Sequence, residues 1–119
     1  MDDQRQCRLR VIGENLDLAG SPAALTALAQ LLREAGPSVE IPIRNGAVMQ
    51  ERGDGGLVIE LRPAPTLYLR GDEGALKEVW AALDAVAAAI PEPGKPDPHR
   101  HVEPAGSKAL VITALAEEN

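Results

Sequence analysis

The order of apolar and polar residues predicts short strands along most of the chain. Apolar side chains fall on every second residue in several segments, as in strands with one buried face. Pro42 lacks a backbone N–H and therefore places the strand at 38–43 at the edge of a sheet. The predicted strands are 8–12, 16–19, 38–43, 57–62, 66–70, 100–102 and 108–115, with a further short strand at 47–49.

Two segments have the periodicity of amphipathic helices. The first begins after Ser21, a favourable N-cap followed by Pro22 at the first helical position, and ends at Gly36. The second begins after the N-cap Asp72 and ends at Pro91. Apolar residues recur at intervals of three and four in both, as expected for helices with one buried face. In the first they are Leu25, Leu28, Ala29 and Leu32; in the second, Leu76, Val79, Trp80, Leu83, Val86, Ala87 and Ile90.

The two helical segments lie in similar surroundings. Residues 16–33 align with residues 67–84 at an offset of 51, so that Gly20 meets Gly71 and leucines coincide at several positions. This self-similarity predicts an internal pseudo-repeat, 16–62 and 67–115, within a single domain spanning 1–119. The expected fold is α+β, a two-layer sandwich. A mainly antiparallel sheet of six to eight strands carries two helices on one face, as two similar β-α-β-β halves.

Composition and charge exclude several classes of protein. The chain has 119 residues, a net charge of −6 and only two aromatic residues. Nucleic-acid binding is therefore not expected, since it needs a basic surface and usually stacking rings. No apolar run approaches the roughly 20 residues that span a bilayer, so no membrane contact is expected. The polar, acidic first residues and the single cysteine favour a cytoplasmic protein.

Two histidines and two carboxylates recur at alternate positions near the end of the chain. A strand through this segment places Asp97, His99, His101 and Glu103 on one face. Imidazoles two residues apart on a strand can reach one metal ion, so His99 and His101 are candidate ligands of a metal or small-ligand module. The alternative is a solvated strand face at a sheet edge.

No sequence motif indicates an enzyme. The chain has neither a nucleophile elbow nor a phosphate-binding loop, and none of its serine, threonine or cysteine residues adjoins a histidine. The acidic loops instead favour binding of a basic protein partner, with no cofactor, and the alternative is that their charge serves solubility alone. The exposed edge at 38–43 also allows pairing with a second copy, so a homodimer is a further expectation. The candidate partner-binding residues are Asp54, Glu92, Asp97 and Glu103.

The second half of the chain resembles the bacterial immunity proteins grouped as immunity protein 32. The resemblance lies in the run LYLRGD at 67–72, the Leu/Ala-rich helix at 76–90, the segment HRHVEP at 99–104 and the closing strand at 110–112. It covers residues 67–115 clearly and residues 16–62 more faintly. It implies a non-enzymatic protein that neutralises a cognate toxin by direct binding, with no catalytic residues.

Overall fold

The computed structural model describes residues 3–63 and 65–116, in which two α-helices and eight strands follow a short 3-10 helix at Asp3–Gln6. The helices are α1 (Pro22–Glu34) and α2 (Glu73–Ala88). The strands are β1 (Arg8–Ile12), β2 (Asn15–Gly20), β3 (Ser38–Ile43), β4 (Gly46–Arg52), β5 (Val58–Arg62), β6 (Thr66–Gly71), β7 (His99–Val102) and β8 (Ala109–Ala114).

The strands form two mixed four-stranded sheets. The first sheet has the order β1-β2-β8-β7 and the second has the order β3-β4-β6-β5. In each sheet the two outer pairs are antiparallel, while the central pair, β2 with β8 or β4 with β6, is parallel. The α+β class, the mainly antiparallel pairing and the two similar halves are as predicted.

The two sheets are equivalent under an approximate twofold that exchanges the halves of the chain. Each half has the order β-β-α-β-β, with β1 to β4 and α1 in the first half and β5 to β8 and α2 in the second. Each half gives its first two strands to one sheet and its last two to the other. The halves therefore divide between β4 and β5, one strand earlier than the boundary read from the sequence, and β5 is the counterpart of β1.

Both helices begin at the predicted caps. The Ser21 hydroxyl accepts a hydrogen bond from the Ala24 N–H, and the Asp72 carboxylate accepts one from the Ala75 N–H. These bonds satisfy amide groups that have no partner within the helix. The two helices pack against each other and cover the inner faces of the sheets. One continuous leucine-rich core results, with Trp80 as its largest ring.

The sheet layer differs from the prediction in two respects. The strands form two four-stranded sheets instead of a single sheet of six to eight, because the chain enters the other sheet after each helix. The short strand predicted at 47–49 is the seven-residue strand β4, which lies at the centre of its sheet. Neither α1 nor α2 is long and apolar enough to cross a bilayer.

Candidate functional site: two open sheet edges

Each sheet has one edge that a turn of the other sheet covers. The side chain of Asn45, in the turn between β3 and β4, accepts a hydrogen bond from the N–H of Leu9 in β1 and donates one to its C=O, at 2.9 and 2.8 Å. Ser107, in the turn between β7 and β8, bonds both backbone groups of Ile59 in β5 in the same way. The edges at β1 and β5 are thereby occupied at Leu9 and Ile59. In the described chain no turn of the other sheet bonds the backbone of β3 or β7, the remaining outer strands.

A groove lies beside the edge at β3, between that strand, α1 and the 3-10 helix. This α1–β3 groove has a volume of about 580 Å³. Four of its ten lining residues are apolar, and among them Leu31 is exposed over 41% of its surface. The apolar lining residues are Ala27, Leu31, Ile41 and Pro42.

The rim of the α1–β3 groove is acidic. The charged lining residues, which form this rim, are the three carboxylates of Asp3, Glu34 and Glu40 and the single guanidinium of Arg5. All three acidic residues are solvent-exposed. The rim therefore has a net charge of −2 among the described residues, which favours a basic ligand.

The outer edge of β3, beside this groove, carries backbone groups that β4 does not bond. The N–H of Arg52 bonds the C=O of Pro37, which fixes the residues of β3 that bond to β4: Val39, Ile41 and Ile43. The N–H and C=O groups of Ser38 and Glu40 therefore point away from β4. No other backbone group of the described chain bonds them there. An extended segment of another chain can add to this edge.

The predicted acidic residues do not form one surface. Asp54 lies between Gly53, whose N–H bonds the C=O of Gly71, and Gly55, whose C=O bonds the N–H of Asp72. These bonds place Asp54 at the N-terminal end of α2. Glu92 follows the C-terminal end of that 16-residue helix, which is about 24 Å long. Asp54 and Glu92 therefore lie at opposite ends of α2.

A neighbouring cation offsets one of the predicted carboxylates, and a second carboxylate contacts a histidine. The Lys95 Nζ lies 2.8 Å from Glu92 Oε2. The Nδ1 of His101 lies 3.5 Å from Glu103 Oε1, within ion-pair distance when the imidazole is charged. Asp97 is exposed and immediately precedes Pro98, whose C=O accepts a hydrogen bond from the N–H of Ala114 at the end of β8. Within the loop between α2 and β7, the Lys95 ammonium thus offsets the charge of Glu92.

The two histidines lie together on β7, as the strand periodicity predicts. His99 and His101 are both exposed, and their ring centroids are 5.4 Å apart with the ring planes inclined at 74°. Within residues 3–63 and 65–116, no three His, Cys, Asp or Glu side chains are grouped to hold a metal ion. One copy of the chain therefore supplies the pair of imidazoles alone.

The single cysteine is not part of either edge. Cys7 is fully buried, and this burial raises the pKa of its thiol to about 12. A thiol with so high a pKa forms almost no thiolate at neutral pH, so Cys7 is unsuited to nucleophilic catalysis or metal binding. Its role is that of a small apolar side chain in the core.

Sequence reasoning missed the α1–β3 groove. Glu34 and Glu40 stand on different elements, and only the packing of α1 beside β3 brings them to the same rim. One signal was present, because Leu31 interrupts the polar face of α1 next to the apolar stripe. A lone apolar residue on a polar helix face is too common to identify a groove without coordinates.

Comparison of the chain with protein-family models, with curated proteins and with solved structures found no match. The resemblance to immunity protein 32 therefore stays a prediction based on residues 67–115. Function has to be argued from the grooves, edges and charges of the molecule itself.

Proposed function

We propose that this protein is a non-enzymatic binding protein that holds an extended, basic segment of a partner protein in the α1–β3 groove. The observation that carries this proposal is an unpaired strand edge beside a groove with apolar and acidic lining residues. Strand addition supplies backbone hydrogen bonds, while the rim selects for positive charge. Metal-independent binding of this kind needs no cofactor.

The resemblance to immunity proteins supports a toxin domain as the partner. A toxin that acts on nucleic acid carries a basic cleft, and an acidic inhibitor with a net charge of −6 associates with it rapidly. Such an inhibitor works in the cell that makes the toxin, so we also propose a cytoplasmic location. The groove residues Glu34 and Glu40 then replace the predicted contacts Asp54 and Glu92 as the main acidic contacts.

A peptide titration tests the binding proposal directly. The probe is a fluorescein-labelled octapeptide of alternating Lys and Val, and its control has Glu in place of Lys. We expect the basic peptide to bind and the acidic one not to bind, as measured by fluorescence anisotropy. The double variant Glu34→Lys/Glu40→Lys should weaken binding by about tenfold or more, since two rim charges are reversed.

A charge-matched variant controls for long-range electrostatics. Glu14→Lys/Glu78→Lys changes the net charge by the same amount at two exposed positions outside the groove. This control should change the affinity by about twofold at most at physiological salt, because screening limits effects beyond roughly 8 Å. Equal weakening by both double variants, or binding of the acidic peptide, would contradict the groove as the site.

Growth rescue tests the toxin assignment separately. The partner to test is a toxin domain at the C-terminus of a large secreted protein, sought in the gene directly upstream of this chain. Its expression should arrest growth, and coexpression of this chain should restore growth. The Glu34→Lys/Glu40→Lys variant should fail to rescue while Glu14→Lys/Glu78→Lys rescues. Lack of an upstream toxin gene, or rescue by both variants, would count against the assignment.

A further inference from the structure

The open edge at β7 carries a pair of imidazoles that groove binding does not use. The pseudo-twofold places His99 and His101 at the positions that Ser38 and Glu40 occupy on β3. Both rings project from the same face of the strand and are exposed to solvent. The two open edges therefore have different chemistry, although they are equivalent in topology.

Each imidazole has its Nδ1 directed at an oxygen atom. The Nδ1 of His99 lies 3.1 Å from the carbonyl oxygen of Asp97, which can only accept a hydrogen bond. The Nδ1 of His101 lies 3.5 Å from Oε1 of Glu103. Histidine ligands of metals usually hold Nδ1–H against a carbonyl or carboxylate in this way, which leaves the lone pair on Nε2.

The spacing of the two rings also fits a shared metal ion. Zinc binds imidazole nitrogen at about 2.0–2.1 Å with tetrahedral angles. Two rings on one such ion have centroids about 5 Å apart by this geometry. The observed separation is 5.4 Å. The pair thus supplies half of a tetrahedral site, and no third ligand is grouped with it in the described chain.

The backbone of β7 is oriented to add a further strand at these two residues. The N–H of Ala114 bonds the C=O of Pro98, so Arg100 and Val102 direct their backbone groups towards β8. The N–H and C=O groups of His99 and His101 consequently point away from the sheet. A strand that pairs with this edge bonds the same two residues whose side chains form the half site.

We propose that two copies of this chain pair through antiparallel β7 strands and that their four imidazoles bind one divalent transition-metal ion, with zinc as the type case. In this register His99 of each copy faces His101 of the other, across a twofold axis at Arg100. Facing Cα atoms are then about 5.5 Å apart. Because a twofold normal to the sheet keeps the same face outward, all four rings lie on one side.

The same register makes the dimer depend on the metal. β7 is only four residues long, so strand pairing alone contributes few hydrogen bonds. The register also places Arg100 opposite its copy, and like charges at facing positions of a sheet are destabilising. Four metal–nitrogen bonds offset both effects. The chain is therefore expected to be monomeric without metal at micromolar concentration.

Zinc chloride titration of the metal-free protein tests the proposal. Light scattering after size exclusion should show the mass rise from 12.6 kDa to twice that value on zinc addition and fall again with chelator. Calorimetry should give one zinc per two chains. Cobalt in place of zinc should give the visible absorption of a tetrahedral nitrogen site, with no thiolate band, because Cys7 is buried.

Four variants identify the interface. His99→Ala and His101→Ala should each abolish zinc-dependent dimerisation, and both are exposed substitutions that leave the core intact. The matched control Ser38→Ala/Glu40→Ala alters the equivalent positions of β3 and should dimerise with zinc as the parent does. Arg100→Ala removes the facing charges and should lower the dimer dissociation constant in the presence of zinc.

Several results would overturn the proposal. One zinc bound per chain without a change in mass would show a site confined to one copy. Zinc-dependent dimers of the His99→Ala or His101→Ala variant, or loss of dimers in the β3 control, would place the interface elsewhere. No zinc binding at micromolar concentration would remove the site altogether. None of these outcomes bears on the basic-peptide titration, which uses the other edge.

Discussion

At the scale of single residues, Gln50 connects the two helices through the core. Its side chain is fully buried in β4, where its Nε2 donates to the C=O of Leu32 near the end of α1. Its Oε1 accepts a hydrogen bond from Nε1 of Trp80 in α2 at 2.8 Å. One amide thus bonds two groups from different helices and is the partner of the buried Trp80 N–H, which fixes both helices against the same strand.

Replacing Gln50 by leucine should destabilise the protein strongly. Gln50→Leu leaves the Trp80 N–H buried without a partner, at about 1–3 kcal/mol. It also removes one of the two hydrogen bonds to the Leu32 carbonyl, which keeps the 3.3 Å bond from the Ala35 N–H. Urea unfolding measures the loss of free energy. In a Trp80→Phe background the indole N–H is absent, so the same substitution should cost less. An equal cost in both backgrounds would show that the hydrogen bond to Trp80 contributes nothing.

Cys7 should make stability depend on alkaline pH. Its thiol has a pKa of about 12 in the folded protein because burial disfavours the thiolate, against 9.0 for an ordinary thiol. The folded state keeps a proton that the unfolded state loses, so stability is unchanged below about pH 9 and falls as the pH rises towards 12. The slope contributed by this group approaches about 1.4 kcal/mol per pH unit.

The comparison with Cys7→Ala isolates this effect from other titrations. Both proteins share every lysine, tyrosine and arginine, so the difference between their unfolding free energies should shrink or reverse as the pH rises from 8 to 11. Thermal or urea unfolding of both proteins at each pH measures this difference in unfolding free energy. Parallel curves across this range would mean that the thiol ionises equally in both states.

At the scale of elements, the turns are what join the two sheets. Asn45 and Ser107 occupy equivalent places under the pseudo-twofold and imitate a strand partner for Leu9 and Ile59. An asparagine or serine side chain can serve because it offers both a donor and an acceptor. Two otherwise exposed edges are thereby protected from pairing with other chains.

Removing the side chain of Asn45 or of Ser107 should expose the edge of the strand that it bonds, β1 or β5, and leave the other edge unchanged. Asn45→Ala should speed hydrogen exchange at the Leu9 amide, and Ser107→Ala should do so at the Ile59 amide, each by an amount equivalent to about 1–2 kcal/mol. NMR measures the hydrogen-exchange rates of the Leu9 and Ile59 amides in the same sample. Each variant is therefore the control for the other. Equal changes at both amides would indicate global destabilisation.

At the scale of the whole molecule, the exchange of strands between halves makes the fold a single cooperative unit. Each sheet takes two strands from each half, and the parallel pairs β2 with β8 and β4 with β6 join them at the centre. The core is continuous through both sheets and both helices. Neither half encloses an apolar core without strands from the other.

Fragments of the chain should therefore fold only together. The break at Asp54, in the loop between β4 and β5, separates the halves without cutting a strand. We expect residues 1–54 and 55–119 each to be unfolded by circular dichroism and amide NMR, and their equimolar mixture to recover the native spectra. A fragment that shows native amide dispersion alone would contradict the interdependence of the halves.

Much of the fold was predictable because its signals are local. Ser21 and Asp72 mark both helix starts, and the offset of 51 between the helical segments is that of the structural repeat. Pro42 correctly placed β3 at an edge. The alternation at 99–101 put both histidines on one face. By contrast, Asp54 and Glu92 were grouped because loops look alike in sequence, although α2 separates them.

The sequence by itself determined the elements, their caps, their buried faces and the duplication, since each depends on residues within a few positions or on a repeated pattern. Only the tertiary structure decided that the strands divide between two sheets, that Asn45 and Ser107 close two edges, and that Glu34 and Glu40 share a groove. These features depend on contacts between residues far apart in the chain. Periodicity shows which face of a strand is buried, but not which strand becomes its neighbour.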